Sequence, residues 1–261
     1  MKYIDSNISF QTDYYPFPII QVNNFLENNY LNEFIKNYPE LSLFKPIEDP
    51  TFGFKYSLSS NANNKNWFKL IKQNKVWRNF FKYINSINFQ QEIISKLLER
   101  NIDLDIYLPK NYRQHLKYNI NNLLYKIEKS VFKKKISLGA PKLKTSLEFQ
   151  VMSADGNYLL PHTDNSKKKL TFCLNLTNNN WKKEYGGGFS TFKPKDLTKY
   201  YNYKDDFLQF SECETIKDYE FDLNTANLFI KTFNSLHGVK VMQGPKTAFR
   251  KSINFSFYYE R

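Results

Sequence analysis

Past Pro141 the chain stops repeating every three to four residues and begins to alternate every two, and no other feature limits its fold so strongly. Eight short β-rich stretches follow, set apart by Gly, Pro, Asn and Asp: Thr145 to Ser153, Leu159 to His162, Leu170 to Leu176, Gly188 to Phe192, Tyr219 to Leu223, Leu228 to Phe233, Gly238 to Met242 and Arg250 to Tyr259. Eight strands in about 120 residues predict two packed antiparallel sheets, a double-stranded β-helix or cupin-like jelly-roll, because that architecture leaves few exposed edges.

Before residue 140 the apolar spacing is helical. Phe25, Leu31, Phe34 and Ile35 mark one helix, Trp67, Leu70 and Ile71 lead to Trp77, Phe80, Phe81 and Ile84, and Ile93, Ile94, Leu97 and Leu98 mark another. A further helix is predicted from Arg113 to Phe132, with Leu116, Ile120, Leu123, Leu124 and Ile127 on one face. With no internal repeat and no linker, residues 1–261 are expected to form one domain. A helical elaboration over 1–140 would pack against one outer face of a β core over 141–261.

Composition narrows the class. With 261 residues, 41% hydrophobic and 18% aromatic, the chain can bury a sizeable core, which excludes disorder, collagen-like repeats and a small disulfide scaffold. Cys173 and Cys213 form no CxxC pair and read as inert packing residues of a reduced compartment. No apolar run approaches the roughly 18 to 20 residues of a membrane span. The first residues, MKYIDSNISFQTDYY, carry no signal-peptide pattern, so a cytoplasmic protein with no membrane partner is expected. The balance of 38 Lys+Arg against 25 Asp+Glu, 38 − 25 = +13, permits nucleic-acid binding. The lysines are scattered among Asn, however, as a solvated surface would have them, and nucleic acid is not favoured.

Three histidines exist, His115, His162 and His237. His162 and Asp164 end a predicted strand two positions apart, so their side chains point the same way, and His237 opens another predicted strand far downstream. Two imidazoles and a carboxylate form the facial triad of non-haem Fe(II) oxygenases, and zinc would accept the same ligands. A solvated turn would account for an isolated HxD equally well. Thirteen positions after His237, Arg250, Ser252, Asn254 and Ser256 share one face of the last strand while Ile253, Phe255 and Phe257 share the other. If the polar face lines the interior, Arg250 becomes a buried cation in need of an anion, and its planar fork suits a carboxylate, with Ser252 as second donor. The gap before Arg250, around Gly244-Pro245-Lys246, is compatible with a hairpin between adjacent strands.

His162-x-Asp164, His237 and Arg250-x-Ser252 together resemble the iron(II)- and 2-oxoglutarate-dependent dioxygenase superfamily, in its prolyl 4-hydroxylase-like branch. Leu170-Thr171-Phe172, Leu176-Thr177-Asn178, Trp181 and Gly186-Gly187-Gly188-Phe189 match in order over residues 143–261, and Pro16-Phe17-Pro18-Ile19-Ile20 resembles the entry segment of such enzymes. The resemblance implies that His162, Asp164 and His237 bind Fe(II) as the catalytic centre, and that Arg250 and Ser252 hold the distal carboxylate of 2-oxoglutarate. Asn175 stands where the branch often presents a tyrosine to the cosubstrate. O2 would be the oxidant, ascorbate an auxiliary reductant, and succinate and CO2 the by-products of hydroxylating a C–H bond in a peptidyl, prolyl-like or small-molecule substrate. The alternatives are a nucleic-acid base oxygenase or demethylase, and a non-catalytic jelly-roll binding module. Two aromatic-rich stretches, Lys193 to Thr215 and Asp49 to Trp67, are candidate lids or packed surface loops.

Overall fold

Where alternation is strictest the strands are longest. The computed structural model describes residues 3–5, 9–61, 65–106 and 108, then positions 113, 114, 116, 117, 119, 120, 123, 124 and 127, and finally 143–176, 181–200 and 206–259. Twelve strands occur among these residues. In chain order they are β1 (Phe10–Asp13), β2 (Ile19–Val22), β3 (Lys45–Asp49), β4 (Gly53–Ser59), β5 (Leu143–Ser153), β6 (Leu159–His162), β7 (Lys168–Asn175), β8 (Ser190–Pro194), β9 (Cys213–Asp218), β10 (Ala226–Ile230), β11 (His237–Val239) and β12 (Phe249–Tyr259). β5 and β12 pair antiparallel from Leu143 opposite Tyr259 to Ser153 opposite Phe249.

The larger sheet runs β1-β2-β10-β7-β12-β5-β4-β3 and the smaller one β6-β11-β8-β9, with every pairing antiparallel. From β5 to β12 the chain passes back and forth between the sheets, staying in one only from β8 to β9. That order is a double-stranded β-helix, built as two separate sheets rather than a closed barrel. β11 and β12 consequently belong to different sheets, and the segment around Gly244 crosses between them instead of closing the expected hairpin.

The alternation sorts the two faces of the larger sheet. Leu147, Phe149, Phe172, Leu174, Ile253, Phe255 and Phe257 point outward into an apolar core shared with the helices. Arg250, Ser252, Asn254, Thr171, Cys173 and Asn175 take the intervening positions, on the opposite face. Helices α1 (Asn28–Lys36), α2 (Lys65–Gln73), α3 (Lys75–Ile84) and α4 (Ile87–Leu98) cover the apolar side. Asn74 caps α3 by accepting from the Val76 and Trp77 amides at 3.0 and 3.2 Å, and Ser86 caps α4 by accepting from Phe89 at 3.3 Å. Trp77, Phe80 and Ile84 then fall on one helical face. Trp77 meets Phe149 edge-on at 4.7 Å and Phe80 meets Phe255 at 5.9 Å. Truncating such a ring to alanine costs about 3–5 kcal/mol.

The first half is not only helical: β1 to β4 extend both edges of the larger sheet. β1, β3 and β4 are partly exposed and β2, though buried, is only four residues long, so they carry too little alternation to stand out in the sequence. The Asp49 to Trp67 stretch, read above as a loop, holds β4 and the start of α2. The strand expected at Tyr219 to Leu223 is displaced to β9, whose residues are mostly exposed at the rim of the smaller sheet. The described positions between 113 and 127 are helical as expected, yet Leu116, Ile120, Leu123, Leu124 and Ile127 stand 41–58% exposed. Residues 128–142 and His115 lie outside the described residues. No helix among the described residues is long and apolar enough to cross a membrane.

Candidate metal and anion site

The last residue of β6 lies directly across from the first residue of β11, and these are His162 and His237. Asp164 follows two positions after His162. One donor atom from each of the three lies within 4.8 Å of the others, and all three side chains are buried. Gly238 permits this approach, because a Cβ there would stand 2.4 Å from the Leu159 carbonyl oxygen across the strand pair.

Each ring is held by its own strand end. His162 Nδ1 lies 3.0 Å from the Leu160 carbonyl and His237 Nδ1 lies 2.9 Å from the Ser235 carbonyl. A carbonyl only accepts, so each Nδ1 carries the proton and donates, which leaves Nε2 with a free lone pair for a metal. Burial holds both imidazoles neutral: it lowers the His162 pKa, and it pushes His237 down to about 3 with the neighbouring His162 adding to the effect. Asp164 behaves oppositely. Burial raises its pKa, but the Lys168 charge above all, with the Lys168 hydrogen bond and with the two rings once they are protonated in acid, outweighs that and holds the carboxyl well below the usual range. Its Oδ1 accepts from Lys168 Nζ at 2.7 Å and its Oδ2 from Thr171 Oγ1 at 2.8 Å, while Thr171 also meets Ser256 Oγ at 3.0 Å.

Aromatic rings enclose the pair of imidazoles. Phe207 stacks on His162 at 4.8 Å, and Phe189 stacks on His237 at 5.3 Å with Phe229 at 4.2 Å. Phe207 also bridges to His162 through the backbone, so the end of the Lys193 to Thr215 stretch covers this side of the cluster. Residues 201–205 within that stretch lie outside the described residues.

Arg250 is 5% exposed. Its Nε donates to the Gly187 carbonyl at 2.6 Å, its Nη1 to Ser252 Oγ at 3.1 Å, and its guanidinium lies 4.6 Å from the Phe221 ring centre. All of these partners are neutral, and among the described residues no carboxylate pairs with it. Desolvation lowers its pKa to about 10. The glycine run packs closely here: Gly187 has φ +80°, and a Cβ on it would press within 2.8 Å of Trp181 and 3.3 Å of Arg250 Cδ.

Asn175 sits beside Ser252 in the β7–β12 register, and its Nδ2 is buried with no hydrogen-bond partner among the described residues. Cys173, one inward position along, feels both the Arg250 and the Asp164 charge; burial pushes its thiol up to about 12, so it stays protonated. In the register with β12 it stands between the Asn175–Ser252 pair beside Arg250 and the Thr171–Ser256 pair beside Asp164. Asn227 and Asn254 flank it on the neighbouring strands, each with a buried Oδ1 that has no hydrogen-bond partner among the described residues. The inner face of the larger sheet thus carries Arg250, Ser252 and Asn175 toward one end, buried polar atoms beside Cys173 along its middle, and Thr171, which meets the Asp164 carboxylate of a cluster that could hold a metal ion, toward the other.

No protein-family model matches this chain, and no curated protein does. Among solved structures it is similar to a Pseudomonas putida prolyl-4-hydroxylase, at 12% identity and a TM-score of 0.47 over 93% of this chain and 92% of that one. A Trichoplax adhaerens prolyl hydroxylase, solved with a hypoxia-inducible-factor peptide fragment, is similar at 12% identity and a TM-score of 0.44, covering 92% and 83%. HygX from Streptomyces hygroscopicus, solved with nickel and 2-oxoglutarate bound, is similar at 10% identity and 0.45, covering 92% and 82%.

Of the six residues singled out in the sequence, the structure brings His162, Asp164 and His237 together in one buried cluster, and places Arg250, Ser252 and Asn175 together on the inner face of β7 and β12. Sequence reasoning named Phe207 only as one aromatic of the candidate lid Lys193 to Thr215, and missed Lys168 and Phe221. Lys168 left a signal, four positions after Asp164 in His162-Thr-Asp-Asn-Ser-Lys-Lys168. Cys213, read as packing, is buried beside Phe192, Leu208 and Leu236.

Proposed function

We propose that the chain is an Fe(II)- and 2-oxoglutarate-dependent oxygenase that hydroxylates a C–H bond of a peptidyl, prolyl-like or small-molecule substrate. The observation carrying this reading is the buried Arg250 guanidinium, with no carboxylate partner among the described residues, on the same inner sheet face that meets the buried His162, Asp164 and His237 cluster through Thr171. Two neutral imidazoles and one carboxylate are the donor set suited to non-haem Fe(II). The lone guanidinium, the Ser252 hydroxyl and the unpartnered Asn175 Nδ2 suit the free carboxylate of a dicarboxylate cosubstrate.

Fe(II), which His162, Asp164 and His237 would hold, and 2-oxoglutarate, which Arg250, Ser252 and Asn175 would hold, would supply the oxidation, with O2 as oxidant, succinate and CO2 as by-products and one oxygen atom entering the substrate C–H bond. The chain's own residues do the rest. Leu160 and Ser235 fix the ring tautomers, Thr171 and Lys168 fix the Asp164 carboxylate, and Arg250, Ser252 and Asn175 orient the cosubstrate. Phe207, Phe189 and Phe229 keep bulk water from the reacting side.

The test is 2-oxoglutarate-dependent succinate release by the Fe(II)-loaded protein, screened against prolyl peptides and small metabolites. Turnover that requires both Fe(II) and 2-oxoglutarate, and that is lost in Asp164→Ala, supports the proposal. Succinate release that persists in Asp164→Ala with iron still bound contradicts it.

A further inference from the structure

Asp164 does not face the metal position as a free carboxylate. Its Oδ1 is shared with an ammonium group, Lys168 Nζ at 2.7 Å, and that lysine side chain is itself one-third exposed. Lys168 stands at the start of β7, three residues before Thr171, so one strand end supplies a donor to each carboxylate oxygen. Thr171 orients Asp164 without adding charge. Lys168 orients it and cancels its charge as well.

We infer that Lys168 is a positioning residue that lowers the site's affinity for a divalent metal, an inference that rests on the metal-site reading above. A carboxylate oxygen has lone pairs enough to accept from the ammonium and to bind an ion at once. An ion on the same oxygen would lie within about 5 Å of the ammonium nitrogen, given ordinary metal–oxygen bond lengths near 2.0–2.2 Å. Two positive charges against one at about that separation repel even in a water-like dielectric strongly enough to cost roughly a factor of ten in affinity, and more where water is scarce. The chain therefore gains a rigid carboxylate and gives up metal affinity, leaving an exchangeable ion rather than a permanent one.

The experiment is calorimetric titration of Mn(II) and Zn(II) into the metal-stripped full chain, without 2-oxoglutarate or O2, for the wild type, Lys168→Met, Lys168→Gln and Lys168→Arg. Methionine keeps the aliphatic stem, glutamine keeps a donor, and arginine keeps the charge. Both neutral variants should bind metal about tenfold tighter or more, and Lys168→Arg should stay within about threefold of wild type. Unchanged or weaker binding in both neutral variants, with thermal melts showing them folded, overturns the inference while wild-type binding leaves the metal site standing. Should Lys168→Met fail to fold, Lys168→Gln decides alone. Failure of the wild type to bind metal at all, matched by His237→Ala, overturns the site and this inference together.

Discussion

Replacing Arg250 with methionine separates two properties that usually fall together. The pKa depression to about 10, from 12.5 for a free guanidinium, corresponds to about 3 kcal/mol held against the charged form by burial. Against this stand two hydrogen bonds to neutral acceptors, at about 1 kcal/mol each, and the Phe221 contact at about 1 kcal/mol. These nearly cancel, and methionine fills most of the same volume. Without cosubstrate, Arg250→Met should therefore alter stability by no more than about 1 kcal/mol, or about 2–4 °C in Tm for a chain of this size. Cosubstrate binding should respond differently, since losing one partner of a buried charge pair costs about 2–5 kcal/mol, a weakening of roughly 30-fold to several thousand-fold. Differential scanning fluorimetry without ligand, and calorimetric titration of 2-oxoglutarate into the Mn(II)-loaded protein, read the two quantities. A variant that binds 2-oxoglutarate within threefold of wild type would refute the assigned role. A loss of 3 kcal/mol or more in the unliganded protein would show that the guanidinium already has an anion inside the fold.

Three further outcomes follow from the geometry. Asp164→Ala and His237→Ala should each weaken Mn(II) binding at least about 100-fold by calorimetry, because three ligands fall to two, while far-ultraviolet circular dichroism stays native. In the metal-stripped protein both His162 and His237 have folded pKa values below their unfolded value of 6.5. The unfolded chain takes up those protons first, so stability is full above about pH 6.5 and falls as the pH drops toward 3; urea midpoints that do not fall between pH 7 and 5 would contradict neutral, buried rings. Gly188→Ala places a Cβ 1.9 Å from the Tyr219 carbonyl oxygen, a clash that only a backbone shift relieves. It should cost about 3 kcal/mol or more, read as a lower urea midpoint.

What the sequence carried depended on how strongly each element is buried. β5 and β12 turn one face to the apolar core and the other to the polar inner side of the larger sheet, so their two faces differ sharply and the alternation shows in the residues. β9 and β3 lie at sheet edges with few buried residues, and their positions were displaced or unseen for that reason. The candidate His162, Asp164 and His237 cluster stood out through the two-residue spacing of His162 and Asp164, although β6 ends at His162 and Asp164 lies just beyond it. The pairing that brings His237 opposite His162 depends on sheet order and is not local information. Arg250 was legible only through its face of β12, and its lack of an anion could be known only with its surroundings in view. Lys168 hid in a lysine run that reads as solvated surface, and Phe207 arrives from a stretch whose path no periodicity describes.

The most direct test of the central claim is anaerobic titration of the protein with Fe(II) and then 2-oxoglutarate, followed by visible absorption. The account predicts a charge-transfer band that saturates at one iron and one 2-oxoglutarate per chain, disappears in His237→Ala, and in Arg250→Met needs at least about 30-fold more 2-oxoglutarate. No band in the wild type under saturating iron and cosubstrate, or the same band at full strength in His237→Ala, would contradict it.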